Sequence, residues 1–221
     1  MELLEALKNR HSVRQYIHKA IDADTLAALQ AEIDACNEEG GLNIQLVTDE
    51  PKAFDSFMAH YGKFSGVTSY IALVGKKGEE LDEKCGYFGE RLVLKAQQLG
   101  LNTCWVAMSY KKIPGAFKVN EDEKLTVVIA LGYGQTQGVQ HKSRPIEQVC
   151  NLNADSPAWL RAGAEAALLA PTAMNQQKFK LTYADGKVTA TAGMGFYTKV
   201  DLGIVKYHFE VGAGKENFIW G

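Results

Sequence analysis

The chain has 221 residues, nearly half of them apolar, and a formal net charge of −2. That length and apolar content support one large or two small domains around a buried core. The near-neutral balance, with no Lys/Arg block longer than a pair, argues against nucleic acid or an anionic membrane as a partner, and no stretch reaches the ~20 apolar residues of a membrane span. The opening "MELLEALKNR" lacks the basic-then-apolar order of a signal peptide. Cys36, Cys85, Cys104 and Cys150 are scattered without a CxxC pattern and read as reduced, buried thiols, so a cytoplasmic location is expected.

Taken in chain order, Glu2 to Asn9 reads as an amphipathic helix with Leu3, Leu4 and Leu7 on one side. A second helix is expected from an N-cap at Asp24, with Leu26, Leu29, Ile33 and Cys36 at helical spacing and Gly40-Gly41 as its stop. "LNIQLVT" (Leu42 to Thr48) alternates like a half-buried strand, and "SYIALVG" (Ser69 to Gly75) reads as a more buried one. A long helix over Glu79 to Leu99 turns Leu81, Cys85, Phe88, Leu92 and Leu99 inward and ends at Gly100. Two strands follow, "NTCWVA" and "LTVVIALGY", and then the basic, proline-containing segment "HKSRPIEQV".

After the polar link "NLNADSP" the order recurs. A helix from Ala158 to Ala170 leads to two strands joined by Asp185-Gly186, a dipeptide that favours a tight hairpin. A helix opening at Asp201 and a final strand near "NFIW" complete the chain. "GYFGERLVLKAQQLGLNTCWV" and "LGIVKYHFEVGAGKENFIW" share a Gly-punctuated step from helix to strand that ends in Trp. The expectation is an α+β chain with helices packed on mixed or antiparallel sheet, made of a larger part, residues 1–150, and a smaller, repeat-like part, residues 151–221. A degenerate internal duplication relates them, with chance similarity as the competing reading because the identities are few.

Two stretches carry chemistry. In "NRHSVRQY", Arg10, Ser12 and Arg14 stand at i, i+2 and i+4, so an extended backbone turns all three to one side. Two guanidiniums and a hydroxyl on one face suit an oxyanion. The plainer reading has Arg10 complementing the dipole of the first helix and Arg14 as a solvated charge. In "APTAMNQQ", three consecutive side-chain amides, Asn175, Gln176 and Gln177, arrive at the mouth of a strand; the plainer reading is an amide-rich turn capping a hairpin.

Together with "KSRP" (Lys142 to Pro145), these stretches resemble the flavin-dependent nitroreductase family, in which an Arg-(Arg/His)-Ser segment, an "APSxxNxQPW" segment and a downstream basic segment jointly hold FMN. The resemblance implies a nitroreductase-like fold. It implies that Arg10, Lys142 and Arg144 reach the FMN phosphate with help from Ser12, and that His11 and Arg14 lie near the ring or ribityl chain. It places Asn175 at the polar edge of the ring and matches Gln177 to the motif's Gln. Arg14 would then stabilise the reduced ring, whose negative charge gathers near N1 and O2.

The sequence departs from the family in two places. The junction after the second helix reads "CNEEGGLNIQLV" where the family carries its amides, and Lys178-Phe179 replaces the Pro-Trp. Family members are typically homodimers with FMN at the subunit interface. Here the two parts are expected to form one FMN cleft between them, giving a monomeric pseudo-dimer, with an ordinary homodimer as the other possibility. The loop "YGKFSGVTSY", with Phe64, Ser65 and Gly66, is a candidate wall of the substrate pocket; a local aromatic staple is the alternative.

The implied activity is an FMN-dependent oxidoreductase that passes hydride from NADH or NADPH to nitroaromatics, quinones or similar electron-poor small molecules. The alternative is a non-catalytic flavin- or small-ligand-binding protein. No catalytic side chain is assigned, because the flavin carries the chemistry. "GYGQTQG" fails the dinucleotide spacing, and the five histidines form no HxxxH or HExxH pair, so no metal is expected. His208 reads as a core histidine, and Asp201 as a close-packed helix start without chemistry.

Overall fold

The computed structural model describes residues 1–221 and has the expected α+β architecture. Its elements are α1 (Leu3–Asn9), α2 (Ala23–Gly40), β1 (Gln45–Val47), α3 (Phe57–Tyr61), β2 (Ser69–Lys76), α4 (Leu81–Gln98), β3 (Asn102–Val106) and β4 (Glu123–Gly132). There follow α5 (Ala158–Ala167), β5 (Phe179–Ala184), β6 (Lys187–Ala192), α6 (Thr198–Ala213) and β7 (Ile219–Trp220). The chain gathers into two units, one of Arg10–Leu81 and Leu92–Val139, the other of Met1–Asn9, Asp82–Arg91 and Gln140–Gly221. No helix is long and apolar enough to cross a membrane, and none of the four buried cysteines forms a disulfide.

The first unit is built on an antiparallel sheet of order β1-β2-β4-β3. Its two central strands are the Val/Ile/Leu-rich runs, buried along most of their length as strands covered on both faces must be. Val13, Tyr16, Phe54, Phe64, Val67, Tyr70 and Val128 form its core. The cap of α2 is Asp22 rather than the expected Asp24: Asp22 has the extended backbone of a cap, and its carboxylate accepts the Thr25 N–H at 2.9 Å. Asp24 lies inside the first turn. Gly41 closes the helix in the left-handed region, as its position predicts. The five-residue α3, capped by Ser56, was not legible in advance, and it leaves Phe57 and Tyr61 exposed.

In the second unit, β5 and β6 form an antiparallel hairpin, and β7 adds in parallel to β6. Asp185 and Gly186 both have positive φ, the geometry that a two-residue hairpin turn matching the strand twist requires. The helices meet through glycines. A Cβ on Gly203 would stand 2.0 Å from the Glu83 carbonyl oxygen, and one on Gly86 equally close to that of Val200, so α4 and α6 cross backbone to backbone. Trp159, Phe209, Phe218 and Trp220 pack with ring centroids 5.0–5.8 Å apart. The Glu210 carboxylate accepts the Tyr87 hydroxyl at 2.6 Å and the Trp220 indole N–H at 2.8 Å. His208 is a core histidine, fully buried between the Ala166 carbonyl (3.0 Å) and the Glu90 carboxylate (2.8 Å).

Two further boundaries, those of α5 and α6, differ from expectation. The helix α5 stops at Ala167, three residues early, because Pro171 has no N–H to continue a helix and biases its neighbour away from helical backbone. The helix α6 opens at Thr198, so Asp201 is not its first residue but lies three residues in, within the first turn.

Candidate functional site

Two groups of residues stand out, one in each unit. In the first, residues 12–16 run as an irregular strand, with Ser12 bridged to Thr103 and Gln15 to Ser65. Ser65 N–H donates to the Arg14 carbonyl at 3.1 Å, and Tyr16 N–H to the Ser65 carbonyl at 3.0 Å. Gly66 has no room for a side chain: its φ is +70°, and a Cβ would lie 2.3 Å from the Tyr16 carbonyl oxygen. The segment "NRHSVRQY" and the loop "YGKFSGVTSY" are therefore stitched together.

Burial pushes the Cys104 thiol pKa up, while Arg14, a hydrogen bond from Ser12 and Arg10 pull it back, so all three side chains act on one sulfur. Arg10 is buried, His11 and Ser12 are half-buried, and Arg14 is exposed with its guanidinium 6.0 Å from the centre of the Phe64 ring. Phe64 itself is a core residue at 4 % exposure, so a pocket wall in this loop falls to Ser65, which is exposed, and to the backbone of Gly66.

The second group is a clamp. The His141 ring and the Ser143 hydroxyl both donate to the Leu168 carbonyl, at 2.9 and 3.1 Å, which occupies an acceptor just past the end of α5. Lys142 and Arg144, alternating with them, leave their side chains exposed. Their backbone is held from the other side: the Gln177 amide donates to the Lys142 carbonyl (2.8 Å), and its oxygen accepts the Arg144 N–H (2.9 Å). Asn175 adds a bond to the same Lys142 carbonyl at 3.0 Å. Gln177 is buried, and its second amide hydrogen goes to the Asn175 carboxamide oxygen at 2.8 Å.

The amides thus divide their work. Gln177 turns inward and spends both hydrogens on the chain, whereas Asn175 is exposed and keeps one amide hydrogen and one oxygen lone pair uncommitted. An exposed donor–acceptor pair beside the exposed side chains of Lys142 and Arg144 suits a ligand that has both a hydrogen-bonding edge and an anionic group. Three residues of this group escape the sequence reading: His141, Ser143 and Thr172, whose hydroxyl accepts the Gln177 N–H at 3.0 Å. The hydroxyl inside "KSR" and the histidine before it were visible in the sequence. Their common target, 25 or more residues away, was not.

Comparison with known proteins agrees with this architecture. The family model described as "Putative TM nitroreductase" matches residues 2–213. Among solved structures, a "putative nitroreductase" of Thermotoga maritima superposes with a TM-score of 0.66 at 24% identity, covering 98% of this chain and 85% of that one. A "putative nitroreductase" of Desulfovibrio desulfuricans, solved in complex with FMN, gives 0.53 at 19% identity over 71% of this chain and 98% of that one. A nitroreductase family protein of Streptococcus pneumoniae gives 0.53 at 15% identity over 67% and 98%. No curated protein matches significantly.

Proposed function

The chain belongs to the nitroreductase family, whose model spans nearly all of it, and on that premise we propose that it is an FMN-dependent oxidoreductase passing reducing equivalents from NADH or NADPH to an electron-poor small molecule such as a nitroaromatic or a quinone. The observation that carries the reading is the second group of residues: an outward carboxamide, Asn175, beside Lys142 and Arg144, whose backbone is pinned by Gln177. The FMN complex of the Desulfovibrio relative supports the choice of cofactor. So does the donor set, since a phosphate dianion calls for several cations and the pyrimidine edge of the flavin for paired donors and acceptors.

In this reading Lys142, Arg144, Arg10 and Ser12 hold the phosphate. Asn175 meets the ring's polar edge, and His11 lies near the ring or ribityl chain. Arg14 favours the reduced ring by its charge, with the Phe64 face limiting where its guanidinium sits. Gln177 holds the Lys142–Arg144 segment rather than the ring. Exposed Ser65 borders the acceptor. When bound, FMN supplies the two-electron chemistry, so that NAD(P)H, a proton and a quinone yield NAD(P)⁺ and a hydroquinone. The protein binds, orients and tunes.

The test is the visible spectrum of the purified protein under anaerobic conditions. A flavin band that bleaches with NADH or NADPH supports the reading. A band that bleaches with neither leaves a flavin-binding protein without turnover, and a protein that neither carries nor takes up FMN refutes the proposal. Replacing Arg10 and Arg144 together is expected to weaken FMN binding by about tenfold for each charge-assisted bond lost; unchanged affinity removes the phosphate assignment. Sedimentation of the holoprotein separates an active monomer from activity confined to a dimer.

A further inference from the structure

The amide-bearing turn is held by a buried acid. Asp201, in the first turn of α6, is only 4 % exposed. One carboxylate oxygen accepts the Ala173 N–H at 2.9 Å, and the other accepts the Gln176 side-chain amide at 2.7 Å. The same Gln176 nitrogen also donates to the Phe196 carbonyl at 2.8 Å. One carboxylate and one carboxamide thereby fasten together the turn over residues 172–177, the loop over residues 193–197 and the start of α6. These contacts lie within one unit of the chain.

The turn needs fastening. Met174, Asn175 and Gln177 all have positive φ, at 52°, 53° and 45°, in the region that L side chains disfavour. Such backbone persists only where its surroundings over-determine it. Asp201 meets no cation: its carboxyl receives the Ala173 and Gln176 hydrogen bonds, and burial outweighs both, raising its pKa to about 6. Neither bond goes to an N–H of α6 itself, so Asp201 serves the turn and not the helix in which it stands.

We propose that Asp201 is a positioning residue for the flavin, acting through Gln176 and Ala173 to hold the left-handed turn that presents Asn175 to the ring's polar edge. The inference rests on the FMN reading above and adds to it a residue that makes no contact with the ligand itself.

The experiment uses the full-length apoprotein with FMN as the titrant. Asp201→Asn keeps the size and one acceptor but turns an amide donor toward the Gln176 amide. It is expected to raise the FMN Kd at least tenfold. Deuterium uptake in apoprotein peptides covering residues 172–177 and 193–197 is expected to rise, while uptake in the α5–α6 contact stays as in the wild type. Adding Gln176→Glu to Asp201→Asn reverses the polarity of that bond while giving up the one to the Phe196 carbonyl, and is expected to recover part of the lost affinity. Gln176→Met, which releases the clasp from its partly exposed side, provides the same measurement should the helix substitution fold poorly. An Asp201→Asn protein with loosened loops and unchanged FMN affinity overturns the positioning role and leaves the flavin reading standing. Unchanged exchange in both loops overturns the clasp. A wild-type apoprotein that binds no FMN removes the flavin reading, and this inference with it.

Discussion

Replacing Gln177 by Met tests how much of the ligand site is made by residues that never meet the ligand. The two side chains are close in length, so the substitution deletes hydrogen bonds with little change in packed volume. Gln177 makes three such bonds: 2.8 Å to the Lys142 carbonyl, 2.9 Å from the Arg144 N–H and 2.8 Å to the Asn175 carboxamide. Each contributes about 1 kcal/mol net. The two to the Lys142–Arg144 backbone together represent about 2 kcal/mol, a factor of roughly 30 in a binding constant if ordering that segment is a condition for binding. The third bond restrains Asn175, and its loss brings the expected weakening to roughly 100-fold. The assay is titration of the apoprotein with FMN, followed by quenching of flavin fluorescence, with thermal unfolding of the apoprotein as the control for the fold. A Kd within twofold of the wild type, in a variant that is folded, would show that the clamp packs the chain and does not shape the site.

Further expectations concern Asp201, Gly203 and Glu210. Because the folded-state pKa of Asp201 is about 6 against an ordinary 3.8, the native state keeps a proton that the unfolded chain has released between those values. Stability therefore falls as pH rises from about 4 to about 6, by up to ~3 kcal/mol, and levels off above. Urea unfolding should accordingly show the stability difference between Asp201→Asn and the wild type moving in the variant's favour over that window; a flat difference contradicts the burial argument. Gly203→Ala puts a methyl group 2.0 Å from the Glu83 carbonyl oxygen, an overlap that backbone alone must relieve. Overpacking of ~1–3 kcal/mol or more outweighs the ~1 kcal/mol gain in helix propensity, so thermal unfolding should come several degrees earlier. Glu210→Ala strips the acceptor from the Tyr87 hydroxyl and the Trp220 indole and should cost ~2–4 kcal/mol in urea unfolding.

The parts of the fold legible in the sequence are those fixed by near neighbours. The two Val/Ile/Leu runs became the central strands, Gly41 closed α2, and Asp185-Gly186 turned the hairpin, because each signal and its structural consequence lie within a few residues. The two-residue error at the start of α2 arose where two local signals competed. Asp22 and Asp24 both suit a cap, and only the bond to Thr25 decides between them. The end of α5 was set by what Pro171 forbids upstream, which shortened the helix by three residues. The five-residue α3 buries only Ala59 and carries Phe57, Met58 and Tyr61 outward, so burial periodicity had almost nothing to detect there.

The site was legible in kind but not in arrangement. The sequence points to cations, a hydroxyl and amides, placing Asn175 at a ring edge and matching Gln177 to the motif's Gln, but it does not show that Asn175 turns outward and Gln177 inward. It also passes over Asp201, whose partners lie 25 and 28 residues away. The physical contrast lies between the two turns that flank β5. At Asp185-Gly186 a glycine shares the positive φ, so the reversal costs little. At residues 174–177 the chain places Met, Asn and Gln in the same region at ~1 kcal/mol each, and then buries an acid without a cation to hold them. A turn needed only to enter a strand would have been selected toward glycine. On the flavin reading proposed above, both costs follow from presenting Asn175 outward: of the three side chains held at positive φ, it is the one with hydrogen-bonding capacity to spare.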